Sequence, residues 1–209
     1  MTGLMGGIYR ISEWIMRLAY LNLLWICFTL AGLVVFGVFP ATAAIFVVNR
    51  KWMMGELDIP VFKTFWSAYK TEFLKSNLLG LILVVLGFML YIDYRFFMET
   101  QYAVLQMLYF PFLAFICLYS LLLLYAFPVF VHYEMKIFQV LKNALLVMIL
   151  NPLPTIMMVM GNIIVYYTMI SFPGLIPFFG ISIFAFVITW SAHYAFAKNQ
   201  RYIEVLQNE

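Results

Sequence analysis

The stretch "FPATAAIFVVNRKW", residues 39–52, decides how the chain is threaded. It follows one long apolar run and ends on two adjacent cations, Arg50 and Lys51. If it only finishes the first crossing, five spans result and the N-terminus lies outside. Arg10, Arg17 and Arg95 are then outside, with nine cations inside. If the chain instead turns at Gly37–Pro40 and comes back, six membrane segments result with both termini inside. Eleven of the twelve Lys and Arg residues then lie inside. Short cytoplasmic loops collect Lys and Arg, so the returning arrangement is the expected one. Pro40 suits the first turn of a helix, where a missing N–H breaks no bond. A helix over 40–54 would be about 22 Å long, short of the roughly 30 Å hydrocarbon core. The second segment is therefore expected to be short or tilted. Arg50, Lys51 and Trp52 are its expected interfacial anchor, with the cations snorkelling to water.

The other apolar runs lie at 18–38, 77–92, 103–130, 144–169 and 172–197. The 209 residues are 66% apolar and 10% charged, with mean hydropathy +1.00. A soluble domain holds about 45–50% apolar and about 25% charged residues, so the solvent of this chain is lipid. The first apolar run is too long for a cleaved signal sequence and reads as a signal-anchor. The predicted fold is all-α: a polytopic transmembrane helical bundle forming one integral membrane domain over 1–209. The net charge of +3 comes with no long basic tract, which argues against nucleic acid as a partner. Cys27 and Cys117 sit inside apolar runs, without a C-x-x-C spacing, and are expected to be buried thiols.

Residues 60–76, "PVFKTFWSAYKTEFLKS", carry a different pattern. At helical spacing Phe62, Phe65, Trp66, Tyr69 and Phe73 share one arc of about 100°, with Lys63 and Lys70 opposite. Such a basic helix with an aromatic face lies in the membrane surface, and these seven residues are the expected contact with that surface or with a partner. "LNPLPT", residues 150–155, is expected to kink the fifth segment, because Pro152 and Pro154 remove two backbone donors. Ser182, Ala185, Thr189 and Ala192 form a small stripe suited to close helix packing. Asn162, Ser182, Thr189 and His193 are the candidates for interhelical hydrogen bonds or a polar lining.

Catalytic motifs are missing from the sequence: no phosphate-binding glycine loop, no nucleophile elbow and no H-E-x-x-H. All nine acidic residues lie outside the apolar runs. Proton-coupled transport and intramembrane hydrolysis need ionisable groups at depth, and neither is expected. No catalytic, metal or cofactor residue is assigned, and the chain is expected not to be an enzyme. The inside loop near His132, Glu134 and Lys136 is the one crowded polar region. His132 and Glu134 point to different helix faces, so they make a poor pair.

The stretch 6–52, then "FKTFWSAYKTEFLKSN", "YAFPVF" and "LKNALL", resembles the YesL family of small bacterial integral membrane proteins of unknown function. The resemblance covers essentially the whole chain. It implies a multi-pass protein of the bacterial plasma membrane, and the cation count above places both termini on the cytoplasmic side. It also implies an association with carbohydrate ABC import, since family members are typically encoded beside such importers. The expected role is a non-catalytic accessory in assembly, stability or regulation, partnered by the bilayer, by an importer permease and by further copies of itself. The rival expectation is a small transporter or channel for an uncharged solute, lined by Asn162, Ser182, Thr189, Tyr166 and Tyr167.

Overall fold

Glycines and prolines divide the apolar runs into helices. The computed structural model describes residues 4–99 and 103–207, and among them every regular element is helical. The helices are α1 (Leu4–Ala31), α2 (Val38–Met53), α3 (Val61–Thr71), α4 (Phe73–Glu99), α5 (Ala103–His132), α6 (Ile137–Leu150), α7 (Pro152–Ser171) and α8 (Ile176–Gln207). A single 3₁₀ turn, Pro173–Leu175, joins α7 to α8.

Among the described residues, five stretches are long and apolar enough to cross a bilayer: Tyr9–Ala31, Phe73–Glu99, Leu108–His132, Pro152–Ser171 and Pro173–Lys198. The protein is a helical membrane bundle. Large apolar side chains such as Leu81, Val84 and Phe88 of α4 stay exposed on its outer surface. Lipid covers such a surface, because a spanning helix satisfies its own backbone. Cys27 and Cys117 are free thiols exposed on that surface rather than buried inside. In a membrane, an apolar run does not say which face looks inward.

The second of the six expected segments does not qualify as a span. α2 forms, but it has 16 residues, about 24 Å at the α-helical rise. It packs against α1, α3, α4, α5 and α8. Ala41, Ala43, Ala44, Ile45 and Val48 on it are fully buried. Its small residues let five neighbours approach, which makes it the central post of the bundle. It is nevertheless the return leg of a hairpin. Trp25 Nε1 donates to Thr42 Oγ1 at 3.0 Å. Further along, the rings of Trp14 and Trp52 meet at 5.7 Å, nearly perpendicular, so α2 runs antiparallel to α1. A tight turn over 32–37 reverses the chain. Leu33 and Val34 adopt positive φ, 56° and 64°. A Cβ on Gly37 would lie 2.8 Å from the Phe28 carbonyl oxygen and 2.9 Å from Thr29 Cα.

α8 also runs antiparallel to α1. Asn22 Nδ2 donates to the Pro177 carbonyl at 2.8 Å, and Trp14 meets Phe186 at 5.2 Å. The start of α1 and the later part of α8 therefore share one end with the last turns of α2 and α5. This is the charged end of the bundle. The small stripe on α8 is a packing face as expected: Ser182, Ala185, Thr189 and Ala192 are all buried.

Two further expectations need correction. The run 144–169 is not one kinked segment. It breaks completely at Asn151 (φ −126°, ψ 69°), which ends α6 and precedes α7. Pro152 then starts α7, where its lost N–H matters least. The expected surface helix over 60–76 ends at Thr71, and α4 begins at Phe73. Nor is its aromatic arc free. Phe65 is fully buried and Tyr69 nearly so. Their rings sit 5.2 and 5.1 Å from that of Phe28 on α1, and Tyr69 Oη donates to the Phe28 carbonyl. Half of the arc is core.

Candidate functional site

The charged end holds a cleft of about 260 Å³. Its walls come from three helix ends and one loop. α2 contributes Val47 and Arg50. The α3–α4 junction contributes Glu72 and Lys75. α5 and the following loop contribute Phe130, Val131, His132, Tyr133, Glu134 and Met135. The loop exists because α5 stops at His132. α6 restarts at Ile137, with the Lys136 backbone N–H donating to Gln139 Oε1 at 3.2 Å.

Arg50 holds two of these walls together. Its Nη1 donates to the Val131 carbonyl at 3.0 Å. Its Nε is buried and has no partner. The ion pairs among the described residues are Arg17 with Glu13 and Asp58, Lys51 with Glu56, and Arg95 with Glu99. Arg50, Lys75, Glu72 and Glu134 are in none of them, so the cleft presents cations and carboxylates without a fixed counterion. Burial pushes the Tyr133 phenol above its ordinary range, so it stays a neutral hydroxyl donor.

Behind the cleft lies a small hollow of about 20 Å³, lined by Arg50, His132, Thr189, His193 and Phe196 among others. That is room for about one water. The His132 ring stacks on Phe196 at 4.3 Å.

The structure redistributes the residues singled out in the sequence. Of the expected anchor, only Lys51 faces outward, beside Glu56 at 3.4 Å. Arg50 turns into the cleft, and Trp52 is 3% exposed against Trp14. They turn inward because α2 is enclosed by other helices, which pack on it from several sides. On α3, Phe62 and Trp66 remain exposed at the edge of the buried arc, with Lys63 and Lys70. Lys70 Nζ sits 4.1 Å above the Trp66 ring. Phe73 packs against Tyr69 at 5.7 Å.

The expected polar lining does not converge. Asn162 Nδ2 donates to Met158 of its own helix at 2.7 Å, and Thr189 Oγ1 likewise to Ala185 at 2.7 Å. Ser182 packs on Asn22 of α1. Tyr166 and Tyr167 point outward, 55% and 64% exposed. His193 and Thr189 meet only at the small hollow. Among the described residues, no three of His, Cys, Asp and Glu gather as metal ligands would.

Sequence reasoning missed Asn22, Glu72 and Lys75 as members of polar arrangements. Asn22 had a signal, being an amide inside an apolar run, where a polar group marks a specific contact. Glu72 and Lys75 had none, since their partners in the cleft lie on distant helices.

The fold and the cleft define a polytopic helical membrane protein with a mixed-charge recess at one end. Residues 18–94 match a family model described as "Protein of unknown function, DUF624". Three proteins of Bacillus subtilis (strain 168), each named as uncharacterized, are similar over most of their length. YteU is 41% identical over 184 residues, 88% of this chain and 82% of that protein. YesL is 38% identical over 191 residues, 91% of this chain and 90% of that protein. YesV is 38% identical over 200 residues, 95% and 96% respectively. The chain belongs to this DUF624, YesL-like family. No solved structure matches it.

Proposed function

We propose that the protein is a non-catalytic accessory of carbohydrate ABC import in the bacterial plasma membrane, with both termini cytoplasmic. It assists the assembly, stability or regulation of an importer by binding its permease. One observation carries the reading. On the outer edge of α3, Lys63 and Lys70 are exposed and Phe62 and Trp66 are 49% and 38% exposed, with their inner sides against the Phe28 ring at 6.2 and 5.2 Å, while Phe65 and Tyr69 are buried on α1. A rigid helix with exposed aromatics and cations suits a partner with acidic and apolar groups. The family resemblance supplies the kind of partner. Sidedness follows from the concentration of cations at the charged end.

The transporter reading draws less support. Its proposed lining residues bond back to their own helices or face outward. The small hollow near His193 holds little more than a water.

The test is purification of the tagged protein from its native membrane in mild detergent. Co-purification of a carbohydrate importer permease, lost in the Lys63→Glu, Lys70→Glu double variant, is expected. Recovery of the protein alone, together with solute flux in liposomes that hold only this chain, would establish the transporter instead.

A further inference from the structure

The cleft has features that its structural role does not require. Arg50, Lys75, Glu72 and Glu134 line one recess, two of each sign, and none forms an ion pair. Pairing between exposed charges adds little stability, so these groups remain available to a ligand that brings both signs. Arg50 also keeps a buried Nε without an acceptor, and a buried guanidinium N–H without a partner is costly. The recess is thus complementary to a molecule that brings an anion and a cation together.

Position narrows the class. The recess lies where one spanning helix begins, at Phe73, and another ends, at His132. Helix ends of this kind sit at the headgroup level of a bilayer. Large apolar side chains are exposed on the same helix ends. Leu74, beside Lys75, is 80% exposed, and Phe138, just past the loop, is 78% exposed. A headgroup in the recess would leave its acyl chains against such residues.

We infer that the cleft between the ends of α2, α4 and α5 binds a phospholipid headgroup carrying both a phosphate and a primary ammonium, as in phosphatidylethanolamine. The phosphate lies toward Arg50 and Lys75, the two cations of the lining; Arg50 Nη1 is held by the Val131 carbonyl, so the guanidinium acts through its charge and its remaining N–H donors. The Tyr133 hydroxyl is a further donor on the same wall. The ammonium lies toward Glu72 and Glu134, which accept its three N–H bonds. A quaternary ammonium offers no N–H, and a glycerol headgroup offers no cation. The site therefore discriminates among lipids by the ammonium end. This assignment is independent of what binds the outer edge of α3.

The test uses the full chain purified in dodecyl maltoside, with its unfolding temperature followed as lipid is added. Phosphatidylethanolamine is expected to raise that temperature more than phosphatidylcholine or phosphatidylglycerol does, because ligand bound only to the folded state stabilises it. Lys75→Gln is expected to weaken binding of phosphatidylethanolamine about tenfold, as losing one partner of a charge pair does. Glu134→Gln should abolish the preference over phosphatidylglycerol while leaving phosphatidylglycerol binding intact. Both positions are exposed, so the variants fold, and Arg50→Lys provides a third that keeps the charge but loses the guanidinium donors. Equal shifts from the three lipids, or variants that bind like the parent, would overturn the inference. Inorganic phosphate giving as large a shift as the lipid would assign the site to free phosphate and overturn it too.

Discussion

The side-chain amide of Asn22, in the middle of α1, is inserted into the backbone of α8. Its Nδ2 donates to the carbonyl of Pro177 at 2.8 Å. Its Oδ1 accepts from the N–H groups of Ile181 and Ser182 at 2.9 and 3.2 Å. Asn22 is 2% exposed. One residue thus binds three backbone groups of another helix and fixes the height of α8 against α1. Asn22→Leu keeps the volume and removes all three bonds. It should lower stability by about 1–3 kcal/mol, the cost of leaving buried polar groups unpaired. Thermal unfolding in detergent measures it, and an unchanged midpoint would show that α8 satisfies these groups by itself.

Trp52 closes the α1–α2 hairpin on Trp14 at 5.7 Å. In lipid the gain comes from contact and ring geometry rather than from escape from water. Trp52→Ala leaves a hole at the charged end and should cost on the order of 3 kcal/mol. Trp52→Phe keeps most of the contact and should cost under about half of that. The same unfolding assay ranks the two variants. A Phe variant as poor as the Ala variant would mean that ring size, not the edge-to-face contact, matters.

The hairpin shows how far the sequence could be read. The Lys and Arg distribution, together with Pro40, predicted that residues 39–52 turn back, and α2 does run antiparallel to α1. The small residues "ATAA" near its start gave a helix, but not its place at the centre of the bundle. Centrality depends on which helices gather round it, and those lie up to 150 residues away. The amphipathic arc of α3 was legible as a pattern. Which half of it is buried was not, because Phe28 sits on another helix. The cleft was half visible: His132 and Glu134 are close in sequence, whereas Arg50, Glu72 and Lys75 join them only through packing. The partner and the activity have no counterpart in any motif.

The 32–37 turn allows a sharper contrast. A Cβ at Gly37 meets backbone, the Phe28 carbonyl oxygen at 2.8 Å, and backbone cannot rotate away. Gly37→Ala should therefore destabilise by about 1–3 kcal/mol through overpacking. At Gly174, in the α7–α8 turn, an added Cβ has nothing within 4 Å. Gly174→Ala should change stability by less than about 0.5 kcal/mol. Equal behaviour of the two variants in thermal unfolding would mean that the α1–α2 turn opens at little cost.

The same hairpin governs the topology of the whole chain, and labelling decides it. α1 starts at the charged end and α2 returns there, with Trp52 beside Trp14. α4 leaves from that end at Lys75, and α5 comes back to it at His132. α8 returns there too, with His193 in the hollow that Arg50 and His132 share. Lys51 and Lys198 should then be reached from one face of the membrane, and Asp93 from the other. Cys27 and Cys117 are first changed to Ser, since both are exposed on the outer surface. Single cysteines at 51, 93 and 198 are then labelled in intact cells with a membrane-impermeant maleimide. The expected result is labelling at 93 alone, with 51 and 198 labelled only after the membrane is opened. A further single cysteine at position 10 separates the two threadings, because the returning hairpin keeps it protected in intact cells together with 51 and 198. Labelling at 10 in intact cells, with 51 and 198 protected, would mean that residues 39–52 only finish the first crossing, that the chain crosses five times, and that the charged end is not one surface.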